Sequence, residues 1–171
     1  MLVVVLIIGI LATFFGLSIG NRSLDERMET EAKRLQKTLQ LASEEAEAKG
    51  MQIGFRYTRE GYEFLGLNEA GQWAVLTDTG PLRPRETQAP FEMLLCVEGH
   101  AIAPALPRDN PKSKLEPQVL LLSSGELTPF QISVQAPKLE DFFRITGEAL
   151  GALKVERSTG RPTCEIPRGR S

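Results

Sequence analysis

The first twenty residues, Met1 to Gly20, contain no charged side chain, whereas residues 21–49 are densely charged. Twenty helical residues, at a rise of ~1.5 Å each, span about 30 Å, which is the thickness of the hydrocarbon core of a bilayer. A backbone in lipid must satisfy its own hydrogen bonds, and a single helix does so. The sequence therefore predicts one transmembrane helix over residues 1–20, which continues into water as a charged stem.

A cleavable secretory signal peptide is the alternative interpretation of this apolar run. Ser18 and Gly20 are small residues at the spacing that a signal peptidase recognises. However, no Lys or Arg precedes the run, whereas a signal peptide begins with a basic region. The run is also longer than the apolar part of a usual signal peptide. We therefore favour the membrane anchor.

The stem, residues 21–49, has the apolar pattern of a helix that is buried on one face. Its apolar residues recur at alternating steps of four and three and occupy an arc of about 80° on a helix. They are Leu24, Met28, Ala32, Leu35, Leu39, Ala42 and Ala46. Small side chains permit close approach, so the half with Ala42 and Ala46 is predicted to pack on the rest of the chain. The larger residues Leu24, Met28 and Leu35 are predicted to contact a partner helix.

Gly50 fits a helix C-cap, and after it the hydrophobic period changes from that of a helix to that of a strand. Predicted strands cover residues 53–57, 62–64, 73–75, 91–97, 118–122, 130–135, 143–146 and 153–157. In the segment 130–135, Phe130, Ile132 and Val134 alternate with polar residues, which indicates one buried and one solvated face. We therefore predict a single β-rich head over residues 50–171, a usual size for one domain.

The segment from Pro104 to Pro117 has prolines and charged residues but no apolar periodicity. Proline cannot donate a hydrogen bond to a strand ladder, so regular sheet structure is not expected there. Long irregular segments of this kind lie on the surface and frequently carry contacts. We predict a mobile surface loop and a candidate partner contact.

The two cysteines, Cys96 and Cys164, are far apart in the sequence and match no metal or redox motif. They could form one disulfide if the head lies outside the cytoplasm. Alternatively, Cys96 is a buried free thiol, because it lies in the apolar run 93–97 and a thiol behaves there as a small hydrophobic group. The sequence leaves both possibilities open.

Composition and motifs give little support for catalysis. The net charge of −2 and the pI near 5.6 provide no large basic surface, so nucleic acid is not an expected partner. His100 is the single histidine, and no spacing in the chain supplies partners for a metal site or a catalytic triad. The glycines near Gly61, Gly66 and Gly71 lie at predicted turns and do not open a helix, as a phosphate loop requires. We predict no cofactor, no metal and no enzymatic activity.

Several parts of the chain resemble known proteins. The run Met1 to Ala12 resembles the hydrophobic segment of type IV pilins and pseudopilins. Other parts are similar to the minor pseudopilin family called general secretion pathway protein H (GspH). These are Glu31-Ala32, Arg34-Leu35, Leu41-Ala42, Glu44-Glu45-Ala46, Gly50, Ile53-Gly54, Tyr62, Phe64, Trp73, Leu82-Arg83, Arg85, and Gly125 to Phe130. The resemblance extends over nearly the whole chain.

The resemblance implies an α+β fold, with a long N-terminal helix packed on an antiparallel β-sandwich-like head. It also implies a structural subunit of the type II secretion pseudopilus, near the filament tip, that helps to export folded proteins across the outer membrane. The implied partners are other minor tip subunits, the major pseudopilin, the inner-membrane assembly platform and the lipid bilayer. The implied location is the bacterial inner membrane, with a single span and the C-terminal head in the periplasm.

One feature of the family falls outside this sequence. The processed N-terminal phenylalanine, and the glutamate that follows it, would lie just before Met1. Either the encoded chain begins upstream of Met1 or the protein lacks this feature. The first interpretation is simpler, because it also explains the missing basic region, and a short basic leader followed by Gly-Phe-Thr-Leu-Ile-Glu is then expected upstream. Processing is therefore assigned to no residue of this chain.

Two other functions remain as alternatives. A minor pilin of a type IV pilus shares the helix and a related head. A membrane-anchored periplasmic binding module would use the helix only as an anchor and hold a small ligand in the head. The filament interpretation predicts that the sequence of residues 1–20 matters, whereas the binding-module interpretation predicts that any apolar helix can replace it.

Overall fold

The structure, a computed structural model, describes residues 2–76, 80–110 and 112–164, with side chains from residue 23 onward. The membrane span predicted for residues 1–20 lies outside the residues whose side chains are described. Within the described part of the chain, no helix is both long enough and apolar enough to cross a membrane.

A single long helix, α1 (Leu2–Lys49), leads into the head. Its apolar stripe forms one buried face, and the buried positions described on this stripe run from Met28 to Ala46. The helix ends at Gly50, which has a φ of 62°. The amide of Met51 donates to the carbonyl of Ala46 at 3.1 Å, and that of Gly50 donates to the carbonyl of Glu47 at 3.3 Å. This hydrogen-bond pattern is a Schellman cap, as the predicted C-cap requires.

Replacement of Gly50 by alanine is expected to lower the free energy of unfolding by about 1 kcal/mol, because the left-handed backbone conformation is unfavourable for a residue with a Cβ atom. The space around Gly50 is open, so the loss reflects backbone conformation alone. Gly80→Ala is the matched control, since Gly80 is also unobstructed and has no positive φ. Urea unfolding of both variants checks the prediction, and equal stability of the two would contradict it.

In the described residues, ten strands follow the helix. They are β1 (Ile53–Tyr57), β2 (Gly61–Leu67), β3 (Trp73–Val75), β4 (Arg85–Glu86), β5 (Glu92–Val97), β6 (His100–Ile102), β7 (Val119–Leu121), β8 (Phe130–Gln135), β9 (Asp141–Gly147) and β10 (Leu153–Thr159). The first sheet has the order β3-β2-β1-β7, with β4 also paired to β2. The second sheet has the order β10-β9-β8-β5-β6, and neighbouring strands in both sheets are antiparallel.

The helix and the two sheets share one hydrophobic core. Helix α1 contacts β8, β9 and β10 of the second sheet and β1 and β7 of the first. The core contains the stem residues together with Phe55, Phe64, Leu95, Ile132 and Ile145 among others. The Tyr57 hydroxyl donates to the carbonyl of Met93 at 2.6 Å, which joins the two sheets directly. The fold is therefore α+β, with one N-terminal helix packed on antiparallel sheets, as the sequence predicted.

Two details differ from the sequence-based expectations. The short strands β4 and β6 were not predicted, and β4 lies beside a proline while β6 follows a tight turn at Glu98 and Gly99. The predicted solvated face of β8 is also wrong for two of its residues, because Gln131 and Ser133 are buried.

The structure joins Cys96, in β5, to Cys164, beyond the end of β10, in a disulfide with a Cα–Cα distance of 5.5 Å. That distance is within the range that a disulfide can bridge. No free cysteine is found in the described residues.

Candidate assembly surfaces

The residues predicted as a partner-helix face do not form a free surface. Met28 is 0% exposed and Leu35 is 1% exposed, and both belong to the core that the head forms with its own helix. For these two residues the predicted partner contact is wrong, because the two sheets already cover them. Leu24 is half-buried at the edge of the same core. A partner contact at Leu24 stays a prediction.

The outward face of the stem is polar. Lys33 pairs with Glu29 at 2.5 Å and Lys49 pairs with Glu45 at 2.6 Å, each one helical turn apart. Such pairs stabilise a solvated helix surface modestly. Lys37 on this face is also exposed. Where the stem crosses the head, it therefore presents charge to solvent and apolar residues to the core.

A cluster of charged residues fixes the stem to the second sheet at the point where the head begins. The Arg157 guanidinium lies 3.1 Å from the Asp25 carboxylate of α1 and 2.6 Å from the Asp141 carboxylate of β9. It also lies over the Phe143 ring, 5.9 Å from the centroid. The Thr159 hydroxyl donates to Asp141 at 2.7 Å. This junction clamp joins the stem to β9 and β10 of the second sheet.

The clamp gives a pH prediction. Hydrogen bonds from Thr159 and Arg157 hold the pKa of Asp141 below its ordinary value. A lowered pKa means that the contribution of Asp141 to stability is present above the pKa of the unfolded chain and is lost as the pH falls through the folded pKa. We expect Thr159→Ala to raise the pKa of Asp141, because the first hydrogen bond is then missing. Carboxyl carbon chemical shifts measured between pH 2 and 6 test this, and an unchanged midpoint would count against the clamp.

The outer face of the first sheet holds a buried ion pair. Arg56 of β1 and Glu63 of β2 are cross-strand partners, and their side chains form a salt bridge with Arg56 only 1% exposed. Arg56 also donates to the carbonyl of Leu106 and, at 2.9 Å, to the Ser113 hydroxyl. Arg108 approaches the other carboxylate oxygen of Glu63 at 3.3 Å. Both residues of the ion pair therefore contact the Pro104–Pro117 segment, Arg56 through Leu106 and Ser113, and Glu63 through Arg108.

The same segment is attached at its two ends. The Ala105 amide donates to the carbonyl of Tyr57 at 2.8 Å. The side chain of Gln118 accepts from the Tyr57 amide at 2.7 Å and donates to the carbonyl of Ala103 at 2.9 Å. Pro117 packs so closely on Gly54 that a Cβ at Gly54 would lie 2.3 Å from the Pro117 Cβ. The segment is irregular, as predicted, but these contacts do not fit the predicted mobile loop.

A cleft of about 540 Å³ lies beside this ion pair. Its charged lining residues are Arg56, Arg59, Arg85, Arg108, Glu60, Glu63, Glu86 and Asp109. Acidic and basic groups are equal in number, so the cleft has no net charge that would select an anion or a cation. Within the described residues, no group of three or more potential metal ligands occurs.

The end of the head nearest Gly50 presents one exposed apolar residue. Leu150, in the turn between β9 and β10, is 87% exposed. The neighbouring Gly151 approaches the β7–β8 turn so closely that a Cβ would lie 2.4 Å from the Gly125 carbonyl oxygen. The Leu127 amide donates to the carbonyl of Ala149 at 3.1 Å in the same place. These contacts connect the backbones of the two turns, while the Leu150 side chain is exposed to solvent.

The residues that do most to organise these surfaces were not predicted from the sequence. Arg56 and Glu63 face each other across the predicted β1–β2 hairpin, and its register could have paired them. No pattern near Arg157 in the sequence indicated its contact with the stem, because its partner Asp25 is distant in the sequence. His100 lies exposed in β6 with Nδ1 3.1 Å from the carbonyl oxygen of Glu98, an arrangement without catalytic partners among the described residues.

The chain was compared with known protein families and relatives. Residues 31–151 match the family model described as type II transport protein GspH. Type II secretion system protein H of Pseudomonas aeruginosa is 29% identical over 136 residues, which are 77% of this chain and 77% of that protein. The protein of the same name from Aeromonas hydrophila is 29% identical over 140 residues, 78% of this chain and 75% of the relative.

Solved structures have the same fold. The crystal structure of the minor pseudopilin EpsH from the type II secretion system of Vibrio cholerae has a TM-score of 0.64 at 23% identity and covers 81% of this chain and 99% of that one. The solution structure of Escherichia coli GspH has a TM-score of 0.58 at 18% identity. The match covers 81% of this chain and 92% of that chain. The long helix, the two antiparallel sheets and the match over most of the head agree: the chain belongs to the type II transport protein GspH family, whose members are structural pseudopilins.

Proposed function

We propose that this protein is a structural minor subunit of a type II secretion pseudopilus, assembles near the filament tip and helps to export folded proteins across the outer membrane. The match of residues 31–151 to the GspH family carries the proposal. A further support is the stem itself, whose apolar face is occupied by its own head. The helix preceding the head is thereby left to make the contacts that hold a filament together.

The proposal divides the chain into three parts. Residues 1–20 form a transmembrane helix in the inner membrane, residues 21–49 form the stem, and residues 50–171 form a head in the periplasm. The absence of charge from residues 1–20 supports the span. The junction clamp at Arg157 supports a fixed geometry between the stem and the head. Within the bilayer the first part contacts lipid, and in the filament it contacts the same part of neighbouring subunits.

The expected partners are other pseudopilins, namely the minor tip subunits and the major pseudopilin, together with the inner-membrane assembly platform. Leu150 and the outward face of Leu24 are candidate contact residues, because one is exposed and the other lies at the core edge. Nucleic acid does not fit as a partner, since the net charge is −2.

The disulfide fits the proposed compartment. Disulfides persist in oxidising environments such as the bacterial periplasm and are rare in the cytoplasm. The proposed Cys96–Cys164 bond is therefore expected to form only after the head has crossed the inner membrane. We propose no catalytic, cofactor or metal role. The acidic and basic residues that line the cleft beside Arg56 and Glu63 are equal in number, and they do not pair a nucleophile with a base.

A secretion assay tests the proposed function. In the native bacterium, deletion of the gene is expected to trap folded exoproteins in the periplasm, and the gene on a plasmid is expected to restore their release. Unchanged secretion after deletion would contradict the proposal. Loss of surface pili with intact secretion would instead support a minor pilin of a type IV pilus.

The third function, a membrane-anchored periplasmic binding module, is tested by exchange of the anchor. Residues 1–20 are replaced by an unrelated apolar helix of the same length, and the head is left intact. A filament subunit is expected to lose secretion activity in this variant although the protein is still inserted and folded. Full activity of the exchanged protein would favour the binding module.

A further inference from the structure

We propose that residues 160–164 form a strap that crosses the outer face of the second sheet and is locked by the Cys96–Cys164 disulfide. The oxidation state of the two cysteines then determines whether this face is covered or open to solvent. This inference concerns the head alone, and it rests on the proposed function only for the periplasmic location of the head.

The strand register places the two ends of the strap on opposite sides of the second sheet. Strand β10 is one edge of this sheet, and β5 is separated from it by β9 and β8. Thr159, the last residue of β10, pairs with Asp141. Cys96 lies in a different row, which continues through Gln131 and Thr146 to Lys154. The chain must therefore travel both across the strands and along them to reach Cys96.

The strap has just enough length for this path. Three strand spacings of about 4.8 Å, combined with a shift of five residues along β10, give a diagonal of roughly 22 Å on a flat sheet. Five extended residues reach about 17 Å, and the Cα atoms of Cys96 and Cys164 are 5.5 Å apart. From the bends at Gly160 and Arg161 onward, the strap has to take the shortest path to Cys96, so it has to lie on the face of the sheet. The strap begins at Gly160, whose amide donates to the carbonyl of Glu140 at 2.8 Å. This hydrogen bond fixes the start of the strap.

The burial of side chains follows this diagonal. Phe142, Ser133 and Gln131 all belong to the outer face and are all buried. Lys154 and Glu156, which are on the same face of β10 but off the diagonal, are exposed. Helix α1 and the first sheet cannot account for the difference, because they pack on the opposite face with Phe143 and Ile145. On this face the Arg144 guanidinium lies over the Phe142 ring, 5.3 Å from its centroid, and the strap accounts for the remaining cover of the polar residues.

Closure of the strap is a two-electron oxidation. The thiols of Cys96 and Cys164 lose two protons and two electrons as the sulfur–sulfur bond forms. A thiol–disulfide oxidoreductase of the periplasm accepts them, and its own disulfide is reduced to two thiols. In the reduced chain, the strap is held only by its own weak contacts, and Phe142 and Ser133 become accessible.

Hydroxyl-radical footprinting of the full chain in detergent micelles tests the strap. Phe142 and Phe143 are adjacent, have the same chemistry and lie on opposite faces of β9, at 2% and 5% exposure. In the Cys96→Ser and Cys164→Ser variants, we expect the oxidation rate of Phe142 to rise severalfold while that of Phe143 stays unchanged. Folded variants in which Phe142 stays protected would overturn the proposal.

A second variant decides the case in which loss of the disulfide exposes both rings by unfolding the head. Four residues, Gly-Ser-Gly-Ser, are inserted after Arg161, so that the disulfide is kept but the strap is slack. We expect Phe142 to become more reactive in this variant and Phe143 to remain protected. Unchanged protection of Phe142 with the longer strap would show that another segment covers the face.

Discussion

Replacing Arg56 by methionine is expected to lower the free energy of unfolding by about 3 kcal/mol, because it leaves the carboxylate of Glu63 buried without its main partner. Methionine keeps the aliphatic part of the side chain but lacks the guanidinium, so the loss contains the charge and hydrogen-bond contribution together with that of a small cavity. Arg108 remains near Glu63 at 3.3 Å and holds the effect at the low end of the usual range. Guanidinium chloride unfolding of the head in the full chain measures the change.

A double variant identifies the cause. With both Arg56→Met and Glu63→Met, most of the lost stability is expected to return, because a well-packed apolar pair often replaces a buried ion pair at little cost. Lys154→Met is the matched control, since Lys154 pairs with Glu148 at 2.5 Å on the surface, and no measurable change is expected there. If the double variant is as unstable as Arg56→Met alone, the buried charge is not the reason.

Leu35→Ala is expected to destabilise the head by about 2–5 kcal/mol, the usual loss when a large core residue is truncated. Leu35 is 1% exposed in the core that α1 shares with both sheets, and little of the cavity can collapse between a helix and a sheet. Chemical unfolding of the purified protein measures the loss, and secretion in cells is expected to fall only because less folded protein is present.

Leu41→Ala is the control for this prediction. Leu41 lies on the same helix but off the buried stripe and is only half-buried, so a smaller loss is expected. If Leu35→Ala leaves the stability of the isolated subunit unchanged and abolishes only assembly, then Leu35 contacts a partner rather than the core. That outcome would support the partner contact that was predicted for Leu35 and that the structure contradicts.

The regular elements of this fold were predictable because their signals are local. The stripe in α1 follows the helical period, and the strands 53–57, 73–75 and 130–135 were predicted with the bounds that the structure shows. The end of the helix at Gly50 was predictable because helices commonly end with a glycine in the left-handed conformation. The family resemblance added the arrangement of the helix on the sheets, which pattern alone does not supply.

The remaining features depend on contacts between distant parts of the chain. The stripe residues Met28 and Leu35 were correctly expected to be buried, but a pattern does not say whether a partner or the same chain buries them. Arg56 and Ser133 look solvated from their neighbours in the sequence. They are buried because two irregular segments, 104–117 and the proposed strap, cover the outer faces of the sheets.

We propose that the protein joins a filament through the helix that precedes its head. A photoreactive amino acid at Phe14, in cells with the complete secretion machinery, tests this claim most directly. We expect crosslinks to other pseudopilins when the inner-membrane assembly platform is present, and their loss when the platform is deleted. Absence of any pseudopilin crosslink in cells that secrete normally would contradict the account.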